Sequence, residues 1–82
     1  MGKYEKLLQL ILSGRSDANI EFDELRRLLT RLGFDERVRG SHHLFRKDGI
    51  EAKINIQKAG SKAKPYQVKQ VRDIIVKHQL TE

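Results

Sequence analysis

The chain has 82 residues, of which 38% are hydrophobic and 34% are charged, and it contains no cysteine. This length fits one small domain with a single modest core, and the lack of thiols excludes disulfides, zinc–thiolate sites and a cysteine nucleophile. No apolar run approaches the roughly 18–20 residues of a membrane span. Because Glu5 interrupts the N-terminal apolar stripe, we expect no signal peptide, no membrane partner and a cytoplasmic protein.

Positive charge is concentrated in the second part of the chain. The net charge is +6; residues 1–36 carry six Lys/Arg and seven Asp/Glu, whereas residues 37–82 carry eleven Lys/Arg and four Asp/Glu. A chain with this asymmetry typically contacts a polyanion with its basic part. The pattern favours nucleic acid as a partner, with a solvated basic surface or an acidic protein partner as alternatives.

Two amphipathic helices are predicted in the first part of the chain. Apolar residues at helical spacing favour a helix over residues 4–12, and Gly14 is a natural end for it. The polar segment 13–19 is interpreted as a turn. A second apolar stripe predicts a helix over residues 22–32 that ends at Gly33.

The apolar period changes from 3.6 to 2 after Gly33, which predicts strands. Segments 34–39 and 42–47 are short candidates, and segment 51–57 alternates most clearly. In the first candidate, Phe34 and Val38 are predicted to share a face. In the third candidate, Ala52, Ile54 and Ile56 are predicted to share a face. Three short strands in succession predict an antiparallel sheet with one buried face and one wet face.

The remaining sequence predicts how the sheet is covered. Segment 58–64 is predicted to be a flexible basic loop, and Pro65 to begin a last helix that runs to about His78. The order α-α-β-β-β-α predicts an α+β fold in which helices pack on one face of a three-stranded antiparallel sheet. By strand parity, the uncovered face carries side chains that suit a phosphate backbone: Arg37, Arg39, Lys53, Asn55 and Gln57.

Two of the three histidines are adjacent, in the sequence GSHH at residues 40–43. Neighbouring residues of a strand point to opposite faces, which disfavours a shared metal ion, so we expect no metal and no cofactor. Ser41 lacks the oriented base and the oxyanion hole of a catalytic triad, and it is interpreted as a turn residue.

Cleavage of RNA fits a histidine on a basic surface better. An imidazole near neutral pH can deprotonate the ribose 2′-hydroxyl or protonate the leaving oxygen, and flanking cations can stabilise the phosphate in its transition state. If Phe45 points inward, His43 lies with it and His42 faces the RNA; if Leu44 points inward, the assignment reverses. The larger apolar area of Phe45 favours His42. A polar strand corner without a catalytic role is the alternative.

The sequence from residue 22 to residue 80 resembles the HicA toxin family. The likeness rests on FDELRRLLTRLGF, on RVRGSHHLFRKDG, on the alternating strand and on the helix that begins at Pro65; GSHH-x-F is its most specific part. Members of this family are small mRNA interferases of bacterial and archaeal toxin–antitoxin pairs. The resemblance implies a fold like that of the double-stranded-RNA-binding domain (dsRBD), a type II toxin that cleaves mRNA without a metal, and a HicB-like antitoxin that occludes the site.

The resemblance also implies roles for individual residues. The catalytic histidine of the family lies in the GSHH corner and carries over onto His42, with His43 as the alternative. The residues predicted to bind RNA are Arg37, Arg39, Ser41, Arg46, Lys53, Lys58, Lys62 and Lys64. The chain lacks the Pro-His-Pro-type segment that many members have after the third strand, so lysines of segment 58–64 would have to supply its part.

We expect residues 1–21 to form a helical extension and turn that precede the HicA-like core at residues 22–80, within a single domain of residues 1–82. A non-catalytic RNA-binding domain of the same fold, with both histidines structural, is the alternative function. The two hypotheses differ in whether the protein cuts RNA or only binds it.

Overall fold

Helices flank a small sheet in a computed structural model that describes residues 2–80. The helices are α1 (Lys3–Ser13), α2 (Phe22–Arg31) and α3 (Pro65–His78), with a 3₁₀ turn at Asp17–Asn19 between the first two. The strands are β1 (Asp35–Arg39), β2 (His42–Lys47), β3 (Ile50–Ile56), β4 (Lys58–Ala59) and β5 (Lys62–Ala63). The predicted α+β fold, with the order helix, helix, strands, helix, is confirmed and is consistent with a dsRBD-like fold.

The helices begin and end where local chemistry favours it. Gly14, with φ +71°, ends α1, and its N–H donates to the carbonyl of Ile11. Pro65 opens α3, where its fixed φ suits the first turn and its missing N–H has no intrahelical partner to lose. The left-handed Gln79, with φ +53°, ends that helix.

The three main strands form an antiparallel sheet in the order β1-β2-β3. Gly40 and Ser41 make the first turn, so that Arg39 lies opposite His42, and Arg37 opposite Leu44. The pairing of β2 with β3 shifts register between Phe45 and Lys47. Two extra residues of β3 are thereby accommodated near the second turn.

One hydrophobic core joins all three helices to one face of the sheet. The buried residues include Leu8 and Ile11 of α1, Phe22 and Leu25 of α2, Phe45 of β2, Ile54 and Ile56 of β3, and Val68, Val71 and Ile75 of α3. The helix that precedes the family-like region therefore contributes directly to the core. The other face of the main sheet is left open, as predicted.

Three details differ from the sequence predictions. Segment 58–64, predicted to be a loop, contains the β4–β5 hairpin, because Ala63 N–H donates to Ile20 O (2.9 Å) and Ser61 O accepts from Phe22 N–H (3.0 Å). Val38, the residue before the last of β1, is 55% exposed and lies outside the hydrophobic core. Ala52 is also exposed, since it lies in the irregular part of β3.

None of the helices in the described residues is long and apolar enough to span a membrane.

Candidate functional site

The two adjacent histidines lie on opposite faces of the sheet. His42 is exposed on the open face, whereas the side chain of His43 is only 16% exposed and lies on the same side as buried Phe45. This orientation is the one predicted from the larger apolar area of Phe45. Whether either histidine is catalytic stays a prediction.

Both ring nitrogens of His42 have side-chain partners from β3 and the residue after it. Nδ1 lies 3.3 Å from Asn55 Oδ1, and Nε2 lies 3.3 Å from Gln57 Nε2. Lys64 Nζ donates to Gln57 Oε1 at 3.1 Å. These four residues are called the His42 network below.

The alternation of β3 places the network. Asn55 and Gln57 project to the open side because Ile54 and Ile56 project into the core. The backbone N–H of Gln57 donates to Gln67 Oε1 at 2.7 Å, and Gln67 is 4% exposed. This buried glutamine of α3 holds the end of β3 in position.

Gln67 was not identified from the sequence, although a signal was present. It precedes Val71 by four residues and therefore shares the apolar stripe of α3. A glutamine within such a stripe needs a hydrogen-bond partner when it is buried. The end of β3 supplies that partner.

His43 belongs to a second group, on the covered face. Its Nδ1 lies 2.8 Å from Glu36 Oε2, and its ring meets Phe22 edge-on, with the ring centroids 4.8 Å apart. Arg26 of α2 contacts the same carboxylate at 2.6 and 2.9 Å. Glu36 therefore ties α2 to two strands, and we refer to Arg26, Glu36 and His43 as the Glu36 cluster.

The electrostatics of the Glu36 cluster favour an ionised carboxylate. The hydrogen bond from Arg26 lowers the pKa of Glu36, burial opposes this shift, and the hydrogen bond from His43 adds to it. The same carboxylate raises the pKa of Arg26. Since an ionised carboxylate only accepts hydrogen bonds, His43 Nδ1 carries the proton that it donates to Glu36.

Four of the predicted RNA-binding cations lie exposed on or beside the open face, namely Arg37, Arg39, Arg46 and Lys53. They line a depression of about 990 Å³ to which Leu44 also contributes. Asp35, Asp48 and Glu51 are acidic residues of its lining. His42 lies beside this depression, next to Arg39 across the strand pair, so the cations closest to His42 in the sheet are those of β1.

The remaining predicted contacts are distributed over the turns. Ser41 is exposed in the β1–β2 turn. Lys64 joins the His42 network, whereas Lys62 Nζ lies 2.5 Å from Glu21 Oε1, and Lys58 Nζ lies 5.6 Å from the centre of the Phe22 ring. Of the three lysines, the structure thus brings Lys64 into the His42 network, through its hydrogen bond to Gln57. In residues 2–80 no three His, Cys, Asp or Glu side chains form a group that could hold a metal ion.

Comparison with known proteins identifies a family. The family model described as the HicA toxin of bacterial toxin–antitoxin systems matches residues 22–79, which is the region that carries α2, all five strands and α3. No curated protein and no solved structure gave a match. The chain belongs to the HicA toxin family and is thus a toxin of a toxin–antitoxin system, with an antitoxin as its partner.

Proposed function

We propose that this toxin is a type II, metal-independent endoribonuclease that cleaves mRNA with His42 as its general base. The observation that carries the proposal is the contact between Gln57 Nε2 and His42 Nε2, which lie 3.3 Å apart. Because Lys64 donates to the oxygen of the same amide, we infer that the Gln57 NH₂ group donates to His42 Nε2. That nitrogen then offers a lone pair, which is what a base needs. The ring is exposed beside the cations of β1, where an RNA strand has access.

The Gln57 amide indicates how RNA would engage the base. A ribose 2′-hydroxyl that replaces this N–H as the donor to Nε2 makes the same kind of hydrogen bond. Transfer of its proton to Nε2 leaves a 2′-oxygen that attacks the adjacent phosphorus. The bond from phosphorus to the 5′-oxygen then breaks, and that oxygen takes a proton from water. The hydroxide formed in this way takes the proton from His42 Nε2, which restores the base. The products are a 2′,3′-cyclic phosphate and a 5′-hydroxyl end.

The surrounding cations support this chemistry by binding and stabilising the phosphate. Arg39 lies across the strand pair from His42, and Lys64 is two hydrogen bonds away. Guanidinium and ammonium groups stabilise negative charge that develops on phosphoryl oxygens. In this proposal Arg37, Ser41, Arg46, Lys53, Lys58 and Lys62 extend the contact along the RNA backbone, which positions the strand.

The proposed partner and location follow from the substrate. A HicB-like antitoxin would suppress cleavage by covering His42 and the β1 cations, and the cytoplasm is where mRNA is available. We also propose that residues 1–82 form one domain, because Leu8 and Ile11 of α1 lie in the same core as α3. In this view the N-terminal helix stabilises the nuclease fold.

The direct test is cleavage of a messenger RNA by the purified chain in the presence of EDTA. His42→Ala should reduce the rate by about 10²–10⁴-fold, the usual contribution of a positioned general base. His78→Ala, at the end of α3, is the matched histidine control and should cut normally. A substrate with deoxyribose at the cleaved nucleotide should resist cutting. Full activity of His42→Ala, with circular dichroism showing both variants folded, would refute the assignment.

The alternative is a non-catalytic RNA-binding domain of the same fold. One observation favours it: both nitrogens of His42 already have side-chain partners, as in a purely structural residue. This alternative predicts no strand scission under any condition. It also predicts RNA affinity whose logarithm falls linearly with the logarithm of salt concentration.

A further inference from the structure

The hydrogen bonds of the His42 network allow only one assignment of protons. The ammonium of Lys64 only donates, so the Gln57 atom that faces it is Oε1. The other end of that amide, Nε2, then faces His42 and only donates. His42 Nε2 must therefore be the acceptor, and in the neutral ring the proton lies on Nδ1, which donates to Asn55 Oδ1.

The opposite tautomer, with the His42 proton on Nε2, leaves one donor without an acceptor. If the Asn55 amide were turned, its NH₂ group would face Nδ1, and the ring proton would move to Nε2. That N–H would point at the NH₂ group of Gln57, which Lys64 prevents from turning. Two donors would then face each other, and a donor without an acceptor loses its hydrogen bond.

We propose that Asn55 and Gln57 are positioning residues that hold His42 as the tautomer with its proton on Nδ1, and that Lys64 orients Gln57 for this role. An imidazole in water populates both tautomers, and its partners decide which form dominates. The network selects the form whose Nε2 is free of a proton. The catalytic consequence rests on the proposed function, whereas the tautomer itself does not.

The two positioning residues act at different stages. In the free protein, Gln57 donates to Nε2, and the tautomer is fixed from both sides of the ring. When a ribose hydroxyl takes the place of the Gln57 amide, Asn55 remains on Nδ1 and keeps the proton there. Asn55 is half-buried and lies opposite Leu44 in the sheet, so its position depends on the strand pairing and persists when RNA binds.

The tautomer can be measured without any assay of activity. In the full chain without RNA, the nitrogen chemical shifts and two-bond proton couplings of each histidine ring distinguish the two neutral forms. The His42 signals are assigned by their loss in His42→Ala. We expect the Nδ1–H pattern in the unmodified chain above the pH at which the ring is protonated. An Nε2–H pattern would overturn the proposal.

Variants test each member of the network. In Gln57→Glu a carboxylate replaces the donor and accepts from Nε2–H, so the neutral ring should shift toward the Nε2–H form. In the chain without RNA, Asn55→Leu leaves Gln57 as the donor to Nε2 and should keep the Nδ1–H form. Lys64→Met frees the Gln57 amide to turn and should give a mixture of the two forms. The matched controls Gln70→Glu and Lys69→Met change exposed residues of α3 and should leave the pattern unchanged. An unchanged pattern in Gln57→Glu and Lys64→Met would overturn the proposal, and either variant remains informative if the other fails to fold.

The catalytic role is read from kcat as a function of pH. Asn55→Leu should lower kcat about 10- to 100-fold with little change in KM, a part of what general base catalysis contributes. Asn55→Asp keeps an acceptor at Nδ1 and should restore much of the rate. Its carboxylate also stabilises the protonated ring, which should move the acidic limb of the profile to higher pH.

If the unmodified chain cuts no RNA but shows the Nδ1–H form, the proposed function fails and the tautomer assignment stands. If it cuts RNA and Asn55→Leu keeps the full kcat, the positioning role is refuted.

Discussion

His42 and His43 are adjacent in β2, yet they belong to different parts of the molecule. His42 is exposed, and its partners are neutral amides on the open face. His43 is largely covered, with an ionised carboxylate at 2.8 Å and an aromatic ring at its edge. Two histidines joined by one peptide bond therefore lie in different environments.

The difference shows what each face of the sheet contributes. On the covered face, the Glu36 cluster links α2 to β1 and β2, so its hydrogen bonds contribute to the stability of the fold. On the open face, the His42 network surrounds an exposed ring, and in our proposal it holds the proton of that ring on Nδ1. We therefore expect changes on the covered face to alter unfolding, and changes on the open face to alter RNA chemistry.

The largest expected effect is on the covered face of β2. Phe45 is fully buried, and Phe45→Ala should lower the free energy of unfolding by about 3–5 kcal/mol through lost transfer energy and a cavity. Its exposed neighbour Arg46 is the control: Arg46→Ala should change the same quantity by no more than about 0.5 kcal/mol. Urea denaturation measures both. Equal losses in the two variants would contradict the contrast between the faces.

The next effect comes from the Glu36 cluster. Glu36→Gln removes the negative charge that Arg26 and His43 both contact, and it should lower the free energy of unfolding by about 1.5–3 kcal/mol, the range for hydrogen bonds to charged groups. Asp35→Asn, one residue earlier and exposed, should change it by no more than about 0.5 kcal/mol. A neutral result for Glu36→Gln in urea denaturation would show that the cluster contributes no net stability.

The same carboxylate predicts a pH dependence. Its pKa is lowered in the folded chain, first by the hydrogen bond from Arg26. A carboxyl with a lowered pKa contributes stability above its unfolded value and loses this contribution as the pH falls through the folded value. The free energy of unfolding should therefore decrease below a pH of about 4.5, the ordinary value for Glu. Glu36→Gln should show a smaller decrease, and an identical pH profile would exclude Glu36 as its source.

Exchanging each histidine compares the two faces directly. His43→Leu keeps apolar bulk but removes the hydrogen bond to Glu36, and it should lower the free energy of unfolding by about 1 kcal/mol. His42→Leu should change it by no more than about 0.5 kcal/mol, while it reduces the rate of cleavage by about 10²–10⁴-fold. Thermal or urea unfolding and the RNA assay give both readings. A larger loss of stability in His42→Leu would reverse the roles assigned to the two faces.

The smallest expected effect concerns single cations of the open face. The binding measurements use chains that also carry His42→Ala, which prevents cutting. Arg39→Gln should make the slope of the logarithm of RNA affinity against the logarithm of salt concentration less steep by about 0.7. This is the value for one phosphate contact to a single strand. Arg15→Gln, in the segment after α1, removes the same charge away from the open face and should leave the slope unchanged. Fluorescence titration of a labelled RNA measures both slopes.

Local signals predicted most of the elements but not all of their environments. The period of 2 located β2 at 42–47, and Pro65 located the start of α3, because both features depend on the immediate sequence. The β4–β5 hairpin was missed because its partner is the segment around Ile20, some forty residues earlier. Val38 follows the alternation yet is exposed, since burial also requires a neighbouring strand or helix to cover it.

For the candidate site, parity was enough to separate the two histidines and to place Asn55 and Gln57 on the open side. It did not predict that these amides hydrogen bond to His42, because that depends on the register of β2 with β3. The contribution of Gln67 was also missed, since its partner lies on another element. The pairing of Glu36 with Arg26 has the same origin: two residues ten positions apart meet only when α2 packs on the sheet.

The sequence by itself determined the order of the elements, the two-sided character of the sheet and the placement of His42 and His43 on opposite faces. These properties follow from the periods of 3.6 and 2, which are set by the backbone geometry of single segments. The larger apolar area of Phe45 favoured the open face for His42, and the structure decided between the two orientations. Only the tertiary structure decided which side chains meet the His42 ring and which groups lower the pKa of Glu36. Both depend on atoms brought within hydrogen-bonding distance by packing and strand register, and side-chain spacing along the chain does not encode those distances.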